Sequence, residues 1–265
     1  MNKLEHTDYQ IIARYYDWIH SELTADIDFV LSLMEGGLHS VLELGCGTGR
    51  IVLPLARAGH EVLGLDTSQA MLDLAESKLN EETIDIKSRV TFVNDDMTNF
   101  NLDRRFSLVI LSHNTLNELN TDGIKKTFDR IGEHLAENGF IFLDIANPSV
   151  LMGHFQENNE VLESQFRDPE SGRLVRQSSS ISVDVARQQV QVEWVFDTPA
   201  GEEVDSSRIS HQATYHLIYP HELELLLNSA WFKLDQMYGG YDKELYGEEG
   251  ERLIAIASKL DRKED

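Results

Sequence analysis

Cysteine and long apolar runs are scarce in this sequence. Cys46 is the single cysteine among 265 residues, so the chain cannot form an internal disulfide, which fits a reducing compartment. No apolar run approaches the ~20 residues needed to span a bilayer, and residues 1–10 lack the apolar core of a secretion signal. We therefore expect a cytoplasmic protein that is not embedded in a membrane.

Positive charge is also scarce. Lysine and arginine number 23 against 46 acidic residues, which gives a net charge of −23 at pH 7. A chain of this balance repels phosphate backbones unless it has a strongly basic face, so we expect neither nucleic acid nor a membrane as partner. A solvated surface explains the acidity, and attraction for a cationic substrate is the alternative. No feature of the sequence predicts an oligomeric state.

Short apolar runs alternate with longer amphipathic stretches up to about residue 147. Residues 8–35 have helical spacing, and later stretches such as 70–79 and 124–135 are also helix-like. This alternation favours an α/β fold with a doubly wound, mostly parallel sheet and helices on both faces. The predicted strands are 40–44, 61–65, 90–93, 107–111 and 140–145.

The pattern changes after Pro148. Three β-rich runs within residues 173–219 predict a small antiparallel insertion of three strands. Apolar runs at 231–237 and 252–258 predict the last two strands of a seven-stranded main sheet. The predicted organisation is a cofactor-binding domain formed by residues 1–150 and 220–265, with residues 151–219 inserted as an antiparallel β cap.

A glycine-rich turn follows the first predicted strand. Residues 43–50 read Glu-Leu-Gly-Cys-Gly-Thr-Gly-Arg, with glycines at 45, 47 and 49. Dinucleotide folds use G-x-G-x-x-G, but counted from Gly45 the third glycine would fall on Arg50. Glu43 would repel a pyrophosphate, whereas it suits a ligand with an ammonium or sulfonium group. The spacing and the acid therefore favour a cationic ligand.

Acidic residues also end the next two predicted strands. Asp66 follows the second strand, where a carboxylate can accept hydrogen bonds from both ribose hydroxyls, and Thr67 or Ser68 can cap the following helix. The alternative is that Asp66 itself is a helix cap. After the third strand come Asp95, Asp96 and Met97, where a carboxylate can accept from an adenine amino group. The methionine can lie against the purine, or it can be an ordinary loop residue.

Together these stretches resemble the class I S-adenosylmethionine-dependent methyltransferases of the small-molecule type. The likeness covers about residues 9–147 and rests on stretches 41–50, 62–72, 90–97 and 106–110 in the family's order. The resemblance implies S-adenosyl-L-methionine as cofactor, a small-molecule acceptor, and a cap placed over the acceptor pocket. Methyl transfer would be a direct in-line displacement that depends on positioning and requires no metal.

The resemblance also implies roles for individual residues. The glycine turn would approach the methionine part, Asp66 would hold the ribose, and Asp96 would hold the adenine amino group, with Asp95 a close competitor. An N-terminal helix carrying Tyr9 and Tyr16 would fold over the methionine end. The full set expected at the cofactor is Tyr9, Tyr16, Glu43, Gly45, Cys46, Gly47, Gly49, Asp66, Thr67, Met71, Asp95, Asp96, Met97, Ser112 and His113.

The acceptor is expected beyond the carboxyl ends of the strands. There the loop after the fourth strand presents Asn114. The insertion offers Trp194, His211, Tyr215 and His216, although packing within the small sheet is the simpler interpretation of these four. Tyr16 and His113 are weak candidates for a catalytic residue, since a neutral imidazole can accept a proton near pH 7.

Other functions stay open at this point. An RNA methyltransferase would need a basic channel beside the cofactor, and a nicotinamide oxidoreductase would need a different glycine spacing. A protein that binds S-adenosylmethionine without catalysis is also consistent with the sequence, because no residue in it proves turnover.

Overall fold

The computed structural model describes residues 9–37, 39–153, 160–168, 171–199, 207–247 and 249–260. The strands are β1 (Ser40–Leu44), β2 (Glu61–Asp66), β3 (Val90–Asn94), β4 (Phe106–Leu111), β5 (Leu135–Ala146), β6 (Val161–Arg167), β7 (Leu174–Asp184), β8 (Gln189–Thr198), β9 (Ser207–His216), β10 (Phe232–Tyr238) and β11 (Arg252–Lys259). The α-helices are α1 (Tyr9–Ile19), α2 (Ala25–Leu33), α3 (Val52–Arg57), α4 (Gln69–Asn80), α5 (Ile84–Lys87), α6 (Thr121–His134), α7 (Pro148–Gly153) and α8 (Pro220–Ser229).

The main sheet has seven strands in the order β10-β11-β5-β4-β1-β2-β3. Strands β1 to β5 run parallel, while β11 is antiparallel to β5 and β10 is antiparallel to β11. The direction of winding reverses at β1, which has β2 on one side and β4 on the other. Ligands of such sheets bind at this switch point, beyond the carboxyl ends of the strands.

Helices cover both faces of the main sheet, as the sequence predicts. Along β4, Leu108 and Ile110 pack into one core cluster with residues of α2, α3 and α4. Their neighbours Val109 and Leu111 point to the other face and pack with residues of α6 and α8. Because successive side chains of a strand alternate between faces, each strand supplies both clusters. Among the residues that the structure describes, none of the helices is long and apolar enough to cross a bilayer.

The helical spacing over residues 8–35 is confirmed for the described part, which forms two helices, α1 and α2, with a break between them. Residue 8 lies outside the described residues. A tertiary contact holds the break: the Arg50 guanidinium donates to the Leu23 carbonyl oxygen at 2.9 Å and to the Asp26 carboxylate. Helical spacing on its own gives no sign of this contact.

The three strands expected within residues 173–219 are confirmed as β7, β8 and β9, but the insertion has a fourth strand that the sequence did not predict. A separate antiparallel sheet has four strands in the order β6-β7-β8-β9, because β6 joins the edge of β7. Strand β6 is mostly exposed, and Phe166 is its one fully buried side chain. A strand that buries so little lacks the alternation of apolar and polar residues by which strands are recognised in a sequence.

The Asp26–Arg50 pair gives a test of the fold. Asp26 is fully buried and Arg50 is 12% exposed, so D26N leaves a largely buried guanidinium without its counter-ion. We expect a loss of about 3–5 kcal/mol in the free energy of unfolding, measured by urea denaturation. D28N removes the same charge from an exposed position on the same helix and should change stability little. Equal stabilities of D26N and D28N would contradict this account.

Candidate active site

One cavity of about 330 Å³ lies beyond the carboxyl ends of the parallel strands and reaches the four-stranded sheet. Its lining combines four parts of the chain: helix α1, the glycine turn with the ends of β2 and β3, the loop after β4, and one face of the small sheet. The strand ends and the insertion thus share one space, and most of the residues expected from the sequence border it.

The glycine turn packs too closely for side chains. Gly45 has φ +70°, and a Cβ at this position would lie 2.5 Å from Cγ2 of Thr115. The amides of Gly45 and Cys46 both donate to the Leu65 carbonyl oxygen, at 2.7 and 3.0 Å. Cys46 is buried in the core beneath the turn rather than in the cavity lining, and burial raises the pKa of its thiol. Gly45 and Gly47 border the cavity, whereas Gly49 does not.

Asp66 joins the turn to the end of β2. Its Oδ2 accepts from the Gly47 amide at 2.7 Å and its Oδ1 accepts from the Ser68 amide at 2.8 Å. Burial raises the pKa of Asp66, and these amide bonds oppose that shift. Helix α4 is capped by Ser68, whose hydroxyl accepts from the Met71 amide. The Asp66 carboxylate therefore borders the cavity without being needed as the helix cap.

The two acids after β3 have different surroundings. Asp95 borders the cavity together with Met97. Asp96 is not among the lining residues, and its Oδ1 accepts from the Thr98 amide and hydroxyl, both at 2.8 Å. The geometry thus favours Asp95 over Asp96 for contact with a ligand, the reverse of the order that the family resemblance implies. Thr67 and Met71 also line the cavity, as expected.

Glu43 lies behind the turn and is almost fully buried. Its Oε1 accepts from the Ser112 hydroxyl at 3.0 Å, while its Oε2 has no hydrogen-bond partner among the described protein atoms. Burial raises the pKa of Glu43 to about 8, although the nearby Arg50 charge opposes the shift. With this pKa the Glu43 carboxyl group is mostly protonated and neutral at pH 7.

Helix α1 forms the roof of the cavity and is attached at both ends. Asp17 accepts from the Thr48 hydroxyl in the glycine turn and from Nζ of Lys78 at 2.7 Å. On the other side, Asp168 at the end of β6 accepts from Arg14 at 2.7 Å and from the Tyr15 hydroxyl at 3.1 Å. The lining residues here are Ile12, Tyr16 and Ile19 of α1 and His20 directly after it. The side chain of Tyr9 lies outside the described residues.

The loop after β4 has an unusual backbone. His113 and Asn114 have φ values of +47° and +70°, which residues other than glycine rarely adopt. Buried Asp144 accepts from the His113 amide at 3.1 Å and from Nε of Arg252 at 2.7 Å. Arg252 in turn donates to Oδ1 of Asn114 at 2.8 Å. This network holds His113 and Asn114 at the cavity. The sequence analysis did not predict the network.

Two imidazoles meet in the cavity. The rings of His20 and His113 lie 4.7 Å apart, edge to face. Nδ1 of His20 is 2.8 Å from the Tyr16 carbonyl oxygen, an acceptor, so Nδ1 carries the proton and Nε2 carries the lone pair. Burial lowers the pKa of both rings, which therefore stay neutral at pH 7. The sequence analysis missed His20, because its helical position indicates only packing.

The small sheet supplies the opposite wall. Trp194 borders the cavity, stacks on His211 with centroids 5.6 Å apart and meets Tyr215 at a steep angle. His216 is not among the lining residues, and its carbonyl oxygen accepts from the Asn117 amide group at 2.8 Å. Of the four acceptor candidates named in the insertion, the structure therefore brings Trp194, His211 and Tyr215 to the cavity but not His216.

Burial of Glu43 predicts a pH-dependent stability. A folded-state pKa of about 8, against an ordinary 4.5, means that the favourable contribution is complete below pH 4.5 and is lost as the pH rises through 8. The glutamine side chain introduced by E43Q cannot ionise. The free energy of unfolding of E43Q should therefore rise relative to that of the wild type as the pH increases from 4.5 to 8. Urea denaturation at a series of pH values measures the difference. The exposed E76Q should follow the wild type, and parallel curves for E43Q and the wild type would refute the prediction.

Comparisons with known proteins agree with this geometry. Residues 41–139 match the model of a methyltransferase domain. A putative methyltransferase of Bacillus subtilis is 27% identical over 95% of this chain and 97% of its own length. Another, from Geobacillus, is 30% identical over 56% of this chain and 62% of its own.

Two solved structures share the fold. An S-adenosylmethionine-dependent methyltransferase from Clostridium acetobutylicum has a TM-score of 0.76 and 21% identity, covering 93% of this chain and 96% of that one. A sugar N-methyltransferase from Streptoalloteichus has a TM-score of 0.72 and 18% identity, covering 93% of each chain. The matched methyltransferase domain contains the glycine turn and the acids that follow β2 and β3, and the chain shares the fold of S-adenosylmethionine-dependent methyltransferases.

Proposed function

We propose that this protein transfers a methyl group from S-adenosylmethionine to a small-molecule acceptor by direct in-line displacement. The observation that carries the proposal is the single cavity that joins the glycine turn and Asp66 to the aromatic face of the small sheet. In this proposal, residues 151–219 are the cap over the acceptor, and residues 1–150 with 220–265 hold the cofactor. Likeness to a sugar N-methyltransferase supports a small acceptor but does not identify it.

The residues present fit a cationic adenosine cofactor. Asp66 would hold the ribose, Asp95 or Asp96 the adenine amino group, and the glycine turn the methionine part. The carboxylates of Asp66 and Asp95 in the lining favour a positively charged group, whereas a pyrophosphate would be repelled. When bound, S-adenosylmethionine supplies an electrophilic methyl group on a positively charged sulfur.

The chain itself contributes position and shielding. Helix α1 and the small sheet enclose the cavity from opposite sides, which excludes water and fixes the acceptor relative to the glycine turn. Burial raises the pKa of Tyr16 to about 12, so its phenol stays protonated and can donate a hydrogen bond. Nε2 of His20 is the neutral acceptor available to take a proton from the acceptor molecule.

An RNA acceptor lacks support in this geometry. Among the described lining residues, the carboxylates are Asp66, Asp95, Glu118 and Glu163, and none of the lining residues is lysine or arginine. A phosphate backbone would meet repulsion at this cavity.

Binding of the cofactor is the first test. Isothermal titration calorimetry should give micromolar dissociation constants for S-adenosylmethionine and S-adenosylhomocysteine. D66N removes a carboxylate whose charge-assisted bonds are worth ~1.5–3 kcal/mol, so both constants should rise by roughly 10- to 100-fold. D73N, an exposed carboxylate on α4, is the matched control and should bind as the wild type does.

Two outcomes would contradict the proposal. The first is the absence of binding heat with either compound; the second is thermal protection by NAD(H) without protection by S-adenosylmethionine. A protein that binds both compounds but yields no methylated product from a lysate of small molecules would instead be a binding protein without catalysis.

A further inference from the structure

The side-chain amide of Asn114 has a defined orientation. Its Oδ1 accepts from the Arg252 guanidinium at 2.8 Å. A guanidinium has only donors, so the oxygen of the amide must face Arg252 and the nitrogen, Nδ2, must point away from it. Arg252 is not among the residues that line the cavity, whereas Asn114 is. Nδ2 is therefore the end of the amide that is left for the cavity.

Arg252 is itself held in place. Its Nε donates to Oδ1 of Asp144 at 2.7 Å, and Asp144 is fully buried. Oδ2 of Asp144 accepts from the Tyr241 hydroxyl at 2.9 Å and from the His113 amide at 3.1 Å. A guanidinium is planar and donates in fixed directions, so it cannot turn away from Asn114 without losing its bond to Asp144.

The backbone of Asn114 is fixed as well. Its amide donates to the Asp144 carbonyl oxygen at 3.0 Å, and its carbonyl oxygen accepts from the Asn117 amide at 2.8 Å. Its φ of +70° lies in the left-handed region, which asparagine adopts more readily than most residues. This backbone explains a preference for asparagine here, but it does not require the contact between Oδ1 and Arg252.

Nδ2 is the polar group of Asn114 that has no partner among the described residues. The side chain is half-buried at the cavity. An amide nitrogen carries two N–H donors, which a lone pair of a bound molecule satisfies and an apolar group or a second donor does not. A donor fixed at a cavity therefore selects a molecule with a hydrogen-bond acceptor.

The loop that carries Asn114 passes from the glycine turn to the small sheet. The next residue, Thr115, packs against Gly45 of the turn. Asn117 donates from its own Nδ2 to the His216 carbonyl oxygen at the end of β9, at 2.8 Å. Asn114 thus lies between the part of the site assigned to the cofactor and the cap assigned to the acceptor.

We propose that Arg252 is a positioning residue, which fixes the amide of Asn114 so that Nδ2 donates a hydrogen bond to a carbonyl or hydroxyl oxygen of the acceptor molecule. This proposal rests on the proposed function and adds a specificity-determining residue to it. Asn114 touches the acceptor, whereas Arg252 acts only through Asn114.

A double-mutant cycle tests whether Arg252 acts through Asn114. The assay follows the transfer of a labelled methyl group from S-adenosylmethionine to the small-molecule fraction of a cell lysate, and kcat/KM is compared for the main product. N114A removes the donor and R252K removes the planar fork that orients it, so each should lower kcat/KM by about 10-fold. The double variant should equal N114A, because no amide is left to orient.

N114D tests the polarity of the contact. The substitution keeps an oxygen for Arg252 but places a second oxygen where Nδ2 stood, so kcat/KM should fall at least as far as in N114A. It leaves Arg252 in place, and so it tests the donor even if R252K lowers stability. R105K, at an exposed position before β4, is the control for R252K and should retain the wild-type kcat/KM.

Thermal unfolding and calorimetric binding of S-adenosylhomocysteine are measured for every variant. We expect binding of this compound to stay at the wild-type level, because the donor is assigned to the acceptor molecule. A loss of its binding that matches the loss of kcat/KM would assign Nδ2 to the cofactor and overturn the proposal.

Three other results would overturn the proposal while the proposed function stands. The first is a double variant in which the two losses multiply to about 100-fold, since Arg252 would then act independently of Asn114. The second is wild-type kcat/KM in N114A or N114D, and the third is a labelled product without a carbonyl or hydroxyl oxygen. If the wild type binds no S-adenosylhomocysteine or forms no labelled product, the proposed function fails, and this proposal with it.

Discussion

The contact between the glycine turn and the end of β2 sets the position of the whole site. Two amides of the turn share the Leu65 carbonyl oxygen, and a third, that of Gly47, bonds the Asp66 carboxylate. Parallel strands β1 and β2 place these groups side by side, in register. The turn can approach so closely because Gly45 has no side chain to collide with Thr115. One local arrangement therefore fixes both the backbone and the acid that face a ligand.

Helix α1 connects the main sheet and the small sheet at the cavity. Asp17 attaches it to the glycine turn and α4, and the contacts of Arg14 and Tyr15 with Asp168 attach it to the small sheet. The cavity thus has a wall from each sheet and a roof that touches both. Because roof and walls come from segments distant in the chain, the acceptor end forms only when the complete domain has folded.

Acidic residues outnumber lysine and arginine both in the whole chain and in the described lining of the cavity. Four carboxylates border the cavity, those of Asp66, Asp95, Glu118 and Glu163. Glu43 lies behind the turn, where burial raises its pKa to about 8 and keeps it mostly protonated at pH 7. The lining carboxylates favour a positively charged ligand such as a sulfonium cofactor.

Local patterns determined much of this protein. The order of strands and helices, the glycine turn with Glu43, and the acids after β2 and β3 follow from short-range periodicity and spacing, so they were readable from the sequence. Strand β6 could not be predicted from the sequence, because an exposed edge strand shows little alternation of apolar and polar residues. The sequence also did not indicate which of Asp95 and Asp96 borders the cavity, because this depends on how the loop turns after β3.

Only the tertiary structure decided the acceptor end. Asp144 and Arg252 are 108 positions apart, and Arg252 and Asn114 are 138 apart, yet they meet to hold the loop after β4. His20 reaches His113 across a similar separation in the chain. Such contacts arise from the packing of whole elements, and no local periodicity encodes the distances between them. The sequence by itself thus determined the order of strands and helices and the position of the glycine turn, while long-range packing determined which side chains of the loop after β4 and of the small sheet border the cavity.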